Sequence, residues 1–245
     1  MSFTNIIRPT TILFTILVPL ALLTSCETPE DRQLASAQTC IDNATTADDA
    51  DRCYEIVSGL ESEKAYLVRC SANFIAQGFT GPRFATAFQR LKDNPSSGQD
   101  PMATVMAYLV FTRTSTTHTA DNALTNCTRA NVRSMVRLAT MAKLATFIAT
   151  VGLGSIPASA DPLSGSFNPA TISTAIATLA GSGSAANQTV VGTIAVQASE
   201  AYCNEGSTFS TNEICKNLTT AITAANGNTL TVGQQLLTLL QSISQ

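Results

Sequence analysis

The sequence predicts an all-α protein: a compact multi-helix domain with disulfide-stapled helical hairpins. Three observations carry that prediction. Apolar residues recur at three- and four-residue spacing in the segments long enough to judge. Acidic or hydroxyl residues stand ahead of several of these segments, where helix N-termini favour them. Four of the seven cysteines fall into two pairs that local helix-turn-helix closure can join, which leaves Cys70 with Cys127.

The chain opens on a leader. Residues 1–10 carry one charge, Arg8, and the thirteen residues that follow, TILFTILVPLALL, are uncharged and mostly aliphatic. A bilayer-spanning helix needs about 20 apolar residues, so this run is short for an anchor. A charged start, a short apolar middle and small residues at the end describe a secretory signal peptide. At its end, Leu23-Thr24-Ser25 and the Cys26 that follows resemble the lipobox of bacterial lipoproteins. The resemblance covers about the first 27 residues and leaves the rest unassigned. It implies cleavage of residues 1–25, a diacylglyceryl group on the Cys26 sulfur, and a further fatty acid such as palmitate on the new amine. By the same analogy, Glu27 after the cysteine favours transfer to the outer membrane. Each buried methylene contributes about 0.8 kcal/mol and firm anchoring takes two chains, so such a group needs no help from the protein. The residues alone also fit an ordinary secretory leader whose cysteine later joins a disulfide.

Without Arg8 the remaining 13 basic and 17 acidic residues leave a net charge of −4, which is not the balance of a nucleic-acid binder. Charged residues are 13% of the chain, so threonine, serine, asparagine and glutamine supply the polar surface. Charge is arranged in blocks: residues 27–63 are acidic, 64–143 basic and 144–245 nearly neutral.

Setting Cys26 aside leaves Cys40, Cys53, Cys70, Cys127, Cys203 and Cys215. An even number in an exported chain reads as three disulfides with 15 connectivities. Local closure favours Cys203–Cys215 and Cys40–Cys53, twelve and thirteen residues apart, leaving Cys70 with Cys127. With neither C-x-x-C pairs nor several histidines, the sequence suggests no metal site and no cofactor.

From residue 34 onward the elements can be taken in order. In DDADRCYEIVSGL the aspartates precede the apolar residues as helix-opening acids do. Leu67, Cys70 and Phe74 keep helical spacing up to Gly78, a plausible stop. GFTGPRFATAFQRL predicts a turn and a short amphipathic helix, KDNPSSGQDP a loop, and MATVMAYLVF an apolar segment too short to assign by period. The longest expected helix runs from about Leu124 to Val151, with Leu138, Met141, Ala145, Ile148 and Val151 on its apolar face. NQTVVGTIAVQASEAYC fits a strand almost as well as a helix. Ser210 and Glu213 form a capping-box pattern ahead of Ile214, Leu218 and Ile222. Asn-Gly-Asn at 226–228 turns the chain into a last helix striped by Leu236, Leu237, Leu240 and Ile243. The expected organisation is therefore a leader (1–25), a lipidated tether (26–33), a helical region with acidic then basic halves (34–151), a Gly/Pro/Ser-rich linker (152–168) and a charge-poor helical region (169–245).

Candidate chemistry is sparse. Arg129, Arg133 and Arg137 at i, i+4 and i+8 would share one face of the long helix, where like charges oppose one another by a few tenths of a kcal/mol per pair. Such a face calls for a compensating partner: the acids around Asp48, Asp49 and Asp51, or an anionic surface or acidic protein outside the chain. The DDAD stretch lacks the glycine and terminal glutamate of a calcium loop and reads as helix capping. His118, the one histidine, reads as a surface residue, since no hydrolase motif accompanies it. No catalytic residue emerges, so the chain reads as a non-enzyme. The function expected is a lipid-anchored component of the bacterial cell envelope, held to the membrane by acyl chains and engaging an envelope protein partner. The alternatives are a lipid or small-ligand binder in the periplasm, and an envelope hydrolase with an unrecognised site.

Overall fold

A computed structural model describes residues 28–80, 101–113, 115–154, 156, 169–203 and 213–243. Among these residues there are ten helices and no strand: α1 Pro29–Asn43, α2 Ala47–Ile56, α3 Glu63–Ala76, α4 Pro101–Leu109, α5 Ala120–Arg129, α6 Arg133–Gly152, α7 Pro169–Ser182, α8 Ala185–Tyr202, α9 Glu213–Ala224 and α10 Thr229–Ile243. The expected all-α fold is present.

Hydroxyl residues open four of the described helices. Thr28 and Thr46 each accept from the backbone N–H three residues on, while Asp31 and Asp49 reach back to the N-cap, so α1 and α2 both begin with complete capping boxes. Thr119 and Ser184 cap α5 and α8 by accepting from the backbone N–H groups of Asn122 and Asn187. Because Thr28 caps α1, regular structure starts at Pro29, ahead of the Leu34 expected from the sequence.

Left-handed residues end several helices, Gly78 and Asn131 among them. Gly78, at φ 79°, closes α3 in a Schellman arrangement: its N–H donates to Ile75 at 2.8 Å and that of Phe79 to Phe74 at 2.9 Å. The Phe74 and Phe79 rings then meet edge to face at 5.3 Å, the apolar contact that accompanies this cap. Asn131, at φ 57°, ends α5. The single helix expected over Leu124 to Val151 is thus two helices, α5 and α6, broken at Ala130–Val132.

α6 is the axis of the molecule, packed against α4, α5, α7 and α8. Ala139, Ala142, Ala145, Ile148 and Ala149 are fully buried along it, and the small residues let its neighbours come close. α6 is also the one described helix long and apolar enough to cross a membrane by composition; its contacts are those of a core helix. On one side α5 leads to α3 and so to α1 and α2, which bury a satellite cluster of Ala37, Val57, Ala65 and Val68. On the other side lie α7, α8 and α10.

The tightest contact pairs α8 with α10. A Cβ built on Gly192 would lie 1.8 Å from the Thr229 carbonyl oxygen, and one on Gly233 would lie 1.8 Å from that of Gln188. Backbone therefore rests on backbone, and only glycine fits. Beside this crossing Gln234 donates to the Gln188 side chain at 2.9 Å, and Gln188 donates to the Leu179 carbonyl of α7 at 3.2 Å. The segment that read as strand or helix is α8, whose glycine serves a helix crossing.

All three expected disulfides form. Cys40–Cys53 joins α1 to α2, Cys70–Cys127 joins α3 to α5, and Cys203–Cys215 spans from the end of α8 to α9, with Cα separations of 5.4, 4.9 and 5.3 Å. Outside the described residues lie the leader with Cys26, the helix and loop expected over 81–100, most of the linker at 152–168, and Ser210 of the expected capping box.

Candidate functional site

A polar cluster joins α2, α3 and the turn before α5. Its centre is His118, 1% exposed. Reading it as a surface histidine is therefore wrong. Its Nε2 lies 2.7 Å from Oδ1 of Asp51 on α2, and its Nδ1 lies 3.0 Å from Oδ1 of Asn73 on α3. The Tyr54 ring meets the imidazole edge to face at 5.4 Å. Ser115 Oγ accepts from the backbone N–H of His118 at 3.0 Å, closing the turn that delivers the ring.

Gln77 holds the same turn from α3. Its amide nitrogen donates to the carbonyls of Arg113 (3.0 Å) and His118 (2.8 Å), and its amide oxygen accepts from the Arg113 N–H at 2.9 Å. One side chain thus pairs three backbone groups of the turn, the carbonyl of buried His118 among them. At the rim Arg113 approaches Asp48 at 3.8 Å. The DDAD aspartates divide their work accordingly. Asp49 caps α2, Asp48 faces Arg113 and Asp51 holds His118.

Asp49 is the most perturbed acid. A hydrogen bond from the Thr46 hydroxyl, then those from the Thr45 and Thr46 backbone N–H groups, lower its pKa to about 2. The hydroxyl and N–H of Thr28 lower Asp31 in the same direction.

The arginine trio does not share a helix face. Arg129 is the last residue of α5, whereas Arg133 opens α6 and Arg137 lies one turn along it. Their expected intramolecular partners, Asp48, Asp49 and Asp51, are occupied elsewhere. Arg129 approaches Glu61 at 3.8 Å and donates to the Tyr66 hydroxyl at 2.5 Å, and that hydroxyl donates to the Glu61 carboxylate. Arg137 is half-buried and engaged. Arg133 is exposed at the first position of α6, and among the described residues no carboxylate is within ion-pair distance of it. Further along α6, Lys143 pairs with Asp121 of α5 at 2.8 Å.

A buried cation that sequence reasoning missed is Arg69, 6% exposed. Its guanidinium donates to the carbonyls of Ser58 (3.2 Å) and Leu60, and stacks 4.2 Å from the Tyr66 ring centroid, fixing the turn between α2 and α3.

Chemically, the cluster binds segments of the chain together. Both ring nitrogens of His118 are engaged by oxygens, so neither faces a nucleophile or a substrate. Among the described residues no group of three or more histidine, cysteine or acidic side chains could hold a metal. No protein-family model, no curated protein and no solved structure matches the chain.

Proposed function

We propose that this chain is a lipid-anchored component of the bacterial cell envelope, held in the outer membrane by acyl groups on Cys26, whose helical body engages an envelope protein. The observation that carries the reading is the lipobox Leu23-Thr24-Ser25-Cys26 directly after an apolar leader. Three disulfides agree with an oxidising compartment. The start of α1 supplies the geometry. Thr28 caps a helix beginning at Pro29, so an anchor at Cys26 is followed almost at once by folded structure. At about 3.5 Å per extended residue, the body would stay within about 10 Å of its anchor. Such a tether suits a scaffold or accessory subunit working at the membrane surface. Arg133, exposed and without an acidic neighbour among the described residues, is the member of the arginine trio best suited to an acidic partner.

Cross-linking in intact cells, followed by pulldown of the full chain, tests the role. A discrete envelope partner whose yield falls with Cys26→Ser or Arg133→Gln supports it. Cross-linking to no envelope protein in the wild-type strain contradicts it.

A further inference from the structure

His118 is buried in the turn before α5, and its surroundings determine what its protons can do. Asn73 donates through Nδ2 to the Arg69 carbonyl at 2.8 Å, which turns its Oδ1 toward the imidazole. That oxygen only accepts, so His118 Nδ1 must donate to it. On the opposite edge Nε2 faces the Asp51 carboxylate, which when ionised is also an acceptor only. Both contacts are made together only when both ring nitrogens carry a proton. A neutral ring leaves one nitrogen bare against an oxygen, turning an attraction into a repulsion between lone pairs.

Among the described residues, the His118 ring nitrogens make no hydrogen bond beyond those to Asn73 and Asp51. α2 contributes Asp51 and the Tyr54 ring; α3 contributes the amides of Asn73 and Gln77; the turn itself contributes Arg113, which faces Asp48. The ring is sealed, while the Asp51 side chain is 51% exposed and gives the proton a route to water.

We propose that His118 is a proton-operated clasp. Doubly protonated, it bridges Asp51 of α2 and Asn73 of α3 and holds the turn at 115–119 against both helices. When it loses a proton, one bridge is lost and the turn and α2 loosen together. α2 is also tied to α1 by Cys40–Cys53, so loosening would extend to the acidic N-terminal hairpin.

The chain has a single histidine, so its ring signals need no assignment. The test is a long-range 15N–1H spectrum of the full-length labelled protein between pH 5 and 8.5, with amide-exchange protection factors measured alongside. The clasp predicts two protonated-type ring nitrogens at the acid end. As one becomes bare, protection at Arg113, Thr117 and His118 should fall about tenfold or more, the effect of losing one hydrogen bond to a charged group. In Asp51→Asn, whose amide can turn to either role, that pH-dependent fall should shrink severalfold. A ring already neutral at pH 5, or protection that does not change as the ring titrates, overturns the proposal. So does an Asp51→Asn protein with the parent's full pH response.

Discussion

At the scale of single residues, the N-terminal acids stabilise helix starts, and their charge state sets when they do so. Asp49 receives hydrogen bonds from Thr46 and Thr45 that favour its ionised form. Its folded pKa of about 2 is below the unfolded value near 3.8. Its contribution is therefore complete above the unfolded value and lost as the pH falls through the folded one. The carboxyl 13C shift of Asp49 should titrate with a midpoint near 2, and a midpoint close to 4 would contradict the capping geometry. This helix-opening role was legible in DDAD, because capping is a local interaction over three residues. The division of labour among the other aspartates was not. Asp51 meets His118 67 residues away, and Asn73 meets the same ring 45 residues away. Nothing in a linear pattern distinguishes a sealed histidine from an exposed one when its partners are that distant. Arg69 was illegible for a different reason: the carbonyls it holds are only 11 and 9 residues away, but they belong to a turn whose shape the sequence does not state.

At the scale of elements, glycines decide how closely helices approach. A methyl group added at Gly181 on α7 would meet nothing within 4 Å, whereas Gly192 on α8 sits against the Thr229 carbonyl. The same substitution should act in opposite directions at the two sites. Gly181→Ala should stabilise by about 0.5 kcal/mol through reduced backbone entropy. Gly192→Ala should destabilise by about 2 kcal/mol or more, because backbone cannot move aside as a side chain can. Urea unfolding of both variants checks this, and equal effects would mean that α8 and α10 do not cross at this contact. The apolar period predicted several of the helices, including the final stripe, whose Leu236, Leu237 and Leu240 are buried. It missed the break between α5 and α6, because Arg129, Arg133 and Arg137 continue an unbroken helical spacing through it. The signal was Asn131, a residue tolerant of the left-handed conformation that ends a helix. The same ambiguity let α8 read as a strand, since β-branched residues with glycine among them suit either a pleat or a close helix crossing.

At the scale of the whole molecule, covalent links and packing divide the task. Cys40–Cys53 and Cys203–Cys215 close short loops, and sequence spacing sufficed to pair them. Cys70–Cys127 closes 57 residues and links the α1–α3 layer to the helices around α6. In the chain-entropy account that loop contributes about 4 kcal/mol, against about 3 for each short one. A Cys70→Ser, Cys127→Ser double variant should therefore lower the unfolding free energy more than a Cys203→Ser, Cys215→Ser variant. The reverse order would place the greater constraint at the other end of the chain. Charge varies over the same scale: an acidic start and basic middle pair with each other through Asp48–Arg113 and Glu61–Arg129, while the last helices rely on threonine, glutamine and close backbone contact. The proposed role depends on where this body is attached. Intact-mass analysis of the protein extracted from membranes tests that directly. The account predicts a polypeptide beginning at Cys26 and heavier than its sequence by a diacylglyceryl group and one further fatty acid. An unmodified cysteine, or a chain beginning at any other residue, would contradict it.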